Sequence, residues 1–161
     1  MAGRPPRRTR PRQVAPLVPD LALALPFGQQ VTLGELRGTP TLLVFVPLAF
    51  SPICTGELRD VADALPSLAP ARVLVVSCDS AAALHAWRES EGVGVEVASD
   101  FWPHGAVARA FDAFDPARGW PVRRTVLLDG GGEPVWCDTS PGGRPRDVGD
   151  AVAAVARLTR G

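Results

Sequence analysis

Lysine, asparagine and tyrosine are absent from the 161 residues, and the one methionine is the first residue. All 17 basic residues are therefore arginines, a bias expected of a GC-rich coding sequence rather than of a nucleic-acid-binding surface. No two of the three cysteines form a CxxC pair, which removes the dithiol oxidoreductase motif and the usual zinc-ribbon spacing. His85 and His104 have no metal-ligand spacing to Cys54, Cys78 or Cys137. No apolar run approaches the roughly 20 residues that a membrane-spanning helix needs. The glycine triplet Gly130-Gly131-Gly132 joins two strand-like runs and does not open a helix, so it is no phosphate loop. Metal, nucleotide and flavin cofactors are not expected, nor are nucleic-acid or membrane partners.

Charge is balanced in total but not in place. Arg4, Arg7, Arg8, Arg10 and Arg12 fall within residues 1–13, where no acidic residue occurs; the remaining 12 arginines against 17 acidic residues leave residues 14–161 at −5 (12 − 17). Residues 1–13 are rich in proline and arginine without apolar periodicity, the pattern of a disordered tail. Residues 14–161 are of single-domain length. The following VAPLVPDLALALPF is broken by Pro16, Pro19 and Asp20 and lacks a clean cleavage site. Arg7-Arg8 lacks the hydrophobic follow-on of a twin-arginine signal, so a cytoplasmic protein is expected.

Two continuous apolar runs, Thr41 to Val46 and Arg72 to Ser77, suit strands buried on both faces. Between them Leu58, Val61, Ala62, Leu65 and Leu68 recur at helical spacing. A short strand is expected at Gln30 to Leu33, a helix capped by Asp79 or Ser80 and running to about Glu89, and a strand at Val93 to Ala98. His104 to Phe111 reads as a short helix. Arg124 to Leu128 and Glu133 to Cys137 flank the glycine triplet as a hairpin, and Val148, Val152, Val155 and Leu158 mark a last helix. The order predicts an α/β domain, with a central mixed sheet flanked by helices and the hairpin at one side. Strand 72–77 would lie beside strand 41–46, both ending at the sheet edge where ligand sites form.

Cys54 falls at that edge, where the first strand has ended and the helix opens. First-turn amides without helical acceptors and the positive end of the helix dipole meet there, which favours a thiolate, the nucleophilic form. By itself a cysteine in apolar surroundings is more often an inert core residue.

The residues around it carry a resemblance. Pro47, Ser51 and Cys54 have the spacing of the peroxiredoxin signature. FVPLAFSPICTGEL, SDFWPHGAVARAF and RRTVLLD resemble stretches of the actinobacterial one-cysteine peroxiredoxins of the alkyl hydroperoxide reductase E type. With VPDLAL and VTL, the likeness covers roughly residues 14 to 160.

The resemblance implies a thioredoxin-like fold and a thiol peroxidase for hydrogen peroxide, organic hydroperoxides or peroxynitrite. In it Cys54 is the attacking thiolate and Arg123, rather than the adjacent Arg124, is the cation at the sulfur. Ser51 helps align the peroxide, though most relatives carry threonine there. Pro47 shields the sulfur. Glu57 either orients the arginine or simply suits the helix dipole. The oxidised sulfur would be a sulfenic acid recycled by an external thiol: mycothiol, a mycoredoxin or thioredoxin. A homodimer built through the loops around the site is implied as well. Two alternatives stay open, a redox-sensing module that relays oxidation to a partner and a two-cysteine peroxidase resolved by Cys78.

Overall fold

A computed structural model describes residues 21–161; the tail expected over residues 1–13 lies outside the described residues. The elements in chain order are β1 (Ala22–Ala24), β2 (Gln30–Thr32), β3 (Thr41–Phe45), α1 (Pro52–Leu68), β4 (Arg72–Ser77), α2 (Ala81–Glu91) and β5 (Glu96–Ser99). They continue with α3 (Ala106–Ala110), β6 (Phe114–Asp115), β7 (Trp120–Pro121), β8 (Arg124–Leu128), β9 (Pro134–Thr139) and α4 (Val148–Arg160).

Seven strands form one mixed sheet in the order β2-β1-β5-β4-β3-β8-β9. Its centre, β5-β4-β3, is parallel, and both flanks are antiparallel. All five residues of β3 are buried, as its unbroken apolar sequence requires of a strand covered on two faces. Leu42 and Val44 look to one face, where α1, α2 and α4 pack through Leu58, Val61, Leu84, Trp87, Ala151 and Val155. Leu43 and Phe45 look to the other, packed with Val107, Ala108 and Phe111 around α3 and with Leu23 and Val31 of β1 and β2. The α/β sheet flanked by helices matches the sequence-based expectation.

Several boundaries differ from it for identifiable reasons. β1 is three residues long, too short to show alternation, yet Leu23 is fully buried and pairs with Val31. The strand expected from Val93 starts at Glu96, because Gly92 ends α2 in the left-handed region and the Val93 amide still donates to Arg88 of that helix. β6 and β7 form a separate two-residue ladder that carries no periodic signal. His104 does not open α3. Gly105 is the residue before the helix, and the Asp100 carboxylate receives the Val107 and Ala108 amides at 3.0 and 2.8 Å.

Gly105 sits at φ 71° with the Phe114 ring so close that an added Cβ would lie 2.4 Å from a ring carbon. Both the backbone region and the clash oppose a side chain. Gly105→Ala should cost about 1–3 kcal/mol in urea unfolding. Gly94→Ala, at an open position, should stay within about 0.5 kcal/mol of wild type. Equal stability of the two variants would contradict this packing.

Candidate active site

α1 begins where the chain turns off the carboxyl end of β3. Ser51 precedes it, Pro52 occupies the first helical position, and Cys54 is the third helical residue. β8 runs antiparallel to β3, with Val44 opposite Thr125, so the start of β8 lies at the same sheet edge. Arg123, just before β8, places Nη2 3.6 Å from Cys54 Sγ. Its Nε donates to Glu57 Oε1 at 2.7 Å. Cys54 is fully buried, and the Glu57 side chain has no exposure.

A second arginine completes the group. Arg146 Nε lies 2.5 Å from Glu57 Oε2, and its backbone amide donates to the same oxygen at 3.2 Å. Its remaining donors reach Thr125 Oγ1 at 2.9 Å, the Arg124 carbonyl at 3.2 Å and the Phe45 carbonyl. Burial pulls the Arg146 guanidinium down from its ordinary value, Glu57 holds it up, and Arg123 adds a smaller downward push. A guanidinium nevertheless keeps its proton in proteins. Sequence reading missed Arg146. It lies 89 residues from Glu57 in a proline- and glycine-rich stretch that reads only as loop.

Of the other expected site residues, Pro47 and Ser51 line a cleft of about 580 Å³ together with Leu48, Trp120, Val122 and Arg123. Cys54 does not line it. The Ser51 hydroxyl donates to the Leu48 carbonyl at 2.9 Å and makes no cap bond to α1. Its oxygen lone pairs remain able to accept. Phe50, between them, has φ 66°, a conformation that costs a bulky residue about 1–3 kcal/mol and persists only when its surroundings impose it. Its ring tilts against Trp87, with centroids 6.5 Å apart. Trp87 is fully buried and donates from Nε1 to Thr55 Oγ1, beside Cys54, whereas Trp102 is 80% exposed.

The other two cysteines sit apart from the Arg123–Glu57 contact. Cys78 is buried at the end of β4. Burial first, then the Asp100 and Asp79 carboxylates, push its thiol from the ordinary 9.0 up to about 12. Cys137 is exposed on β9, where Arg124 Nη2 approaches its sulfur at 3.1 Å and Nη1 donates to Thr139 Oγ1 at 2.8 Å. The adjacent arginines thus diverge, Arg123 to the buried cysteine and Arg124 to the edge strand. His104 Nε2 meets the Gly119 carbonyl at 2.7 Å, and His85 meets Arg88. Among the described residues, no three His, Cys, Asp or Glu side chains cluster as a metal site.

Solved structures with this architecture define the class. A structure of Xanthomonas campestris peroxiredoxin Q superposes with a TM-score of 0.73 at 30% identity, covering 88% of this chain and 91% of that one. Enterococcus faecalis AhpC gives 0.75 at 25% identity, covering 82% and 81%. The fold is thioredoxin-like, of the peroxiredoxin type. Alkyl hydroperoxide reductase E of Mycobacterium tuberculosis is 36% identical over 149 residues, which is 91% of this chain and 97% of that protein. The profile of the AhpC/TSA family matches residues 14–133. The chain belongs to that family and is a peroxiredoxin, a thiol-dependent peroxidase.

The Cys78 thiol provides a measurement of this environment. A group whose value is raised on folding keeps its proton after the unfolded chain has lost its own, so its contribution is complete below the ordinary value and declines above it. Between pH 9 and pH 11, stability should therefore fall more steeply for wild type than for Cys78→Ala, followed as urea midpoints against pH. Parallel curves across that window would mean that the buried thiol is not held protonated.

Proposed function

We propose that Cys54 is the peroxide-reducing residue of a one-cysteine mechanism acting on hydrogen peroxide, organic hydroperoxides or peroxynitrite. The observation that carries this reading is the Arg123 Nη2 contact to Cys54 Sγ, with Glu57 fixing the guanidinium from its other side. The sulfur of a Cys54 thiolate attacks the terminal oxygen of ROOH, the O–O bond breaks, and the products are Cys54–SOH and RO⁻, which takes a proton to leave as ROH. Arg123 donates to sulfur and oxygen as charge passes from one to the other. First-turn amides at Ile53 and Cys54 face the same developing charge. Ser51 accepts from the peroxide, and Pro47 keeps water from the sulfur without adding an N–H of its own.

Recycling on this reading uses external thiols. One condenses with the sulfenic acid to a mixed disulfide and water, and a second releases Cys54 as the thiol. Mycothiol, a mycoredoxin or thioredoxin would serve. The protonated, buried Cys78 and the edge-strand Cys137 both argue against an internal resolving thiol. Residues 14–161 act as the catalytic domain of a cytoplasmic homodimer formed around the exposed site loops, where Phe50, Phe101 and Trp102 offer apolar area.

Two experiments test these roles. In stopped flow with tryptophan fluorescence, Arg123→Ala should slow peroxide reduction about 100-fold, and Arg124→Ala less than about threefold. The reverse order would exchange the two arginines. With an external thiol, Cys78→Ser, Cys137→Ser and the double variant should retain turnover, and after one equivalent of peroxide without thiol, wild type should carry a trappable sulfenic acid on Cys54. A stoichiometric Cys54–Cys78 disulfide in wild type, found by mass spectrometry, would overturn the one-cysteine mechanism and leave the peroxidase assignment standing.

A further inference from the structure

The loop from Pro47 to Ser51 joins β3 to α1, and it is held from outside its own sequence. Val46 still donates to the Val76 carbonyl of β4 at 2.9 Å, so the loop leaves the sheet alongside that strand. Asp79 lies just beyond the end of β4. Its Oδ2 accepts the Ala49 amide at 2.9 Å and the Ser77 hydroxyl at 2.6 Å. Ser77 is fully buried, and its Oγ in turn accepts the Asp79 amide at 3.0 Å, which sets the direction of the carboxylate. The Asp79 carbonyl receives the Ser99 hydroxyl of β5, and the Asp100 amide donates to the Ser77 carbonyl at 2.7 Å. The carboxylate therefore stands on the ends of two strands.

The amide it holds is well placed to matter. Ala49 is buried and central in the loop, and it is followed at once by Phe50 at φ 66°. A bulky side chain in that region does not persist unaided. The Ala49 bond to Asp79 fixes the chain before the strained residue, and the start of α1 fixes it after. Pro47 and Ser51, which line the cleft with Leu48, lie two positions to either side of Ala49.

We propose that Asp79 is a positioning residue for peroxide reduction, its carboxylate fixing Ala49 and thereby the Pro47–Ser51 loop that aligns the peroxide at Cys54. The assignment rests on Cys54 being the peroxide-reducing residue. It acts on peroxide alignment through the loop, whereas the sulfur itself is met by Arg123. Asp79→Ala removes the acceptor, while Asp79→Asn keeps an oxygen for the Ala49 amide.

The test compares peroxide oxidation with iodoacetamide alkylation of Cys54, since alkylation needs the sulfur but no aligned peroxide. Asp79→Ala should slow oxidation about 10- to 100-fold, with alkylation within about threefold of wild type. Asp79→Asn should restore oxidation to within about fivefold, and Ser77→Ala should fall in the same direction as Asp79→Ala by a smaller factor. If circular dichroism shows Asp79→Ala unfolded, Asp79→Asn and Ser77→Ala carry the comparison. Oxidation and alkylation falling in step, an Asn variant no better than Ala, or an oxidation rate within twofold of wild type in Asp79→Ala and Ser77→Ala would each overturn the positioning role. Peroxide reduction that survives Cys54→Ser would overturn the functional reading and this assignment with it.

Discussion

One carboxylate, Glu57, carries the electrostatics of this molecule. It sits a turn along α1 from Cys54, has no exposure, and binds Arg123 with one oxygen and Arg146 with the other. Two guanidiniums against one carboxylate leave one positive charge at the site, and Arg123 directs it at the sulfur of Cys54. A buried ion pair of this kind is weak evidence for stability, because desolvation offsets much of the attraction. Breaking it from one side is another matter. With Glu57 gone, two arginines would remain buried without a counter-charge, a change worth about 3–5 kcal/mol. The surface pair Arg59–Glu91, with the arginine 61% exposed, belongs to a class worth about 0–1 kcal/mol.

The rest of the fold delivers these groups to one point from distant parts of the chain. α1 brings Cys54 and Glu57 on successive turns. The antiparallel insertion of β8 beside β3 brings Arg123, whose partner is 66 residues away. The segment before α4 returns Arg146, which also ties the Phe45 and Arg124 carbonyls at the edges of β3 and β8. The site is thus braced by the sheet itself and depends on packing that no local segment supplies.

Those distances explain how much was legible in the sequence. β3 and β4 were visible because strands buried on both faces read as unbroken apolar runs, β8 because it flanks the glycine triplet as one arm of a hairpin, and α1 and α4 because their apolar positions repeat at helical spacing. β1 and the β6–β7 ladder were not, since two or three residues cannot display a period. Cys54, Ser51 and Pro47 stood out as a local pattern on a strand-to-helix junction. Glu57 was visible but ambiguous, because read as a first-turn acid it merely suits the dipole; α1 begins at Pro52, so Glu57 is its sixth residue and lies beyond that turn. Arg146 left no trace. Its role exists only once two segments 89 residues apart have met, and an arginine between Pro145 and Asp147 in a proline- and glycine-rich stretch looks like solvated loop.

The two adjacent arginines show how backbone geometry, more than residue identity, assigns chemistry here. Along β8 successive side chains point to opposite faces, which sends Arg124 with Val126 to one face, while Arg123 is the middle of a tight turn in which the Arg124 amide donates to the Val122 carbonyl at 2.9 Å. Arg123 and Arg124 therefore cannot both reach Cys54, whatever their shared charge. One faces inward, where its donors meet a buried carboxylate and a sulfur; the other faces the β9 edge, where its donors meet Thr139 and Cys137. A one-residue shift in the register of β8 would exchange them. That register is set by Val126 and Leu128 packing on one face of the sheet and Leu127 on the other, with Thr125, Val126, Leu127 and Leu128 each paired to β3. The hydrophobic alternation of a buried strand thus turns Arg124 away from the sulfur, and the turn before that strand presents Arg123 to it.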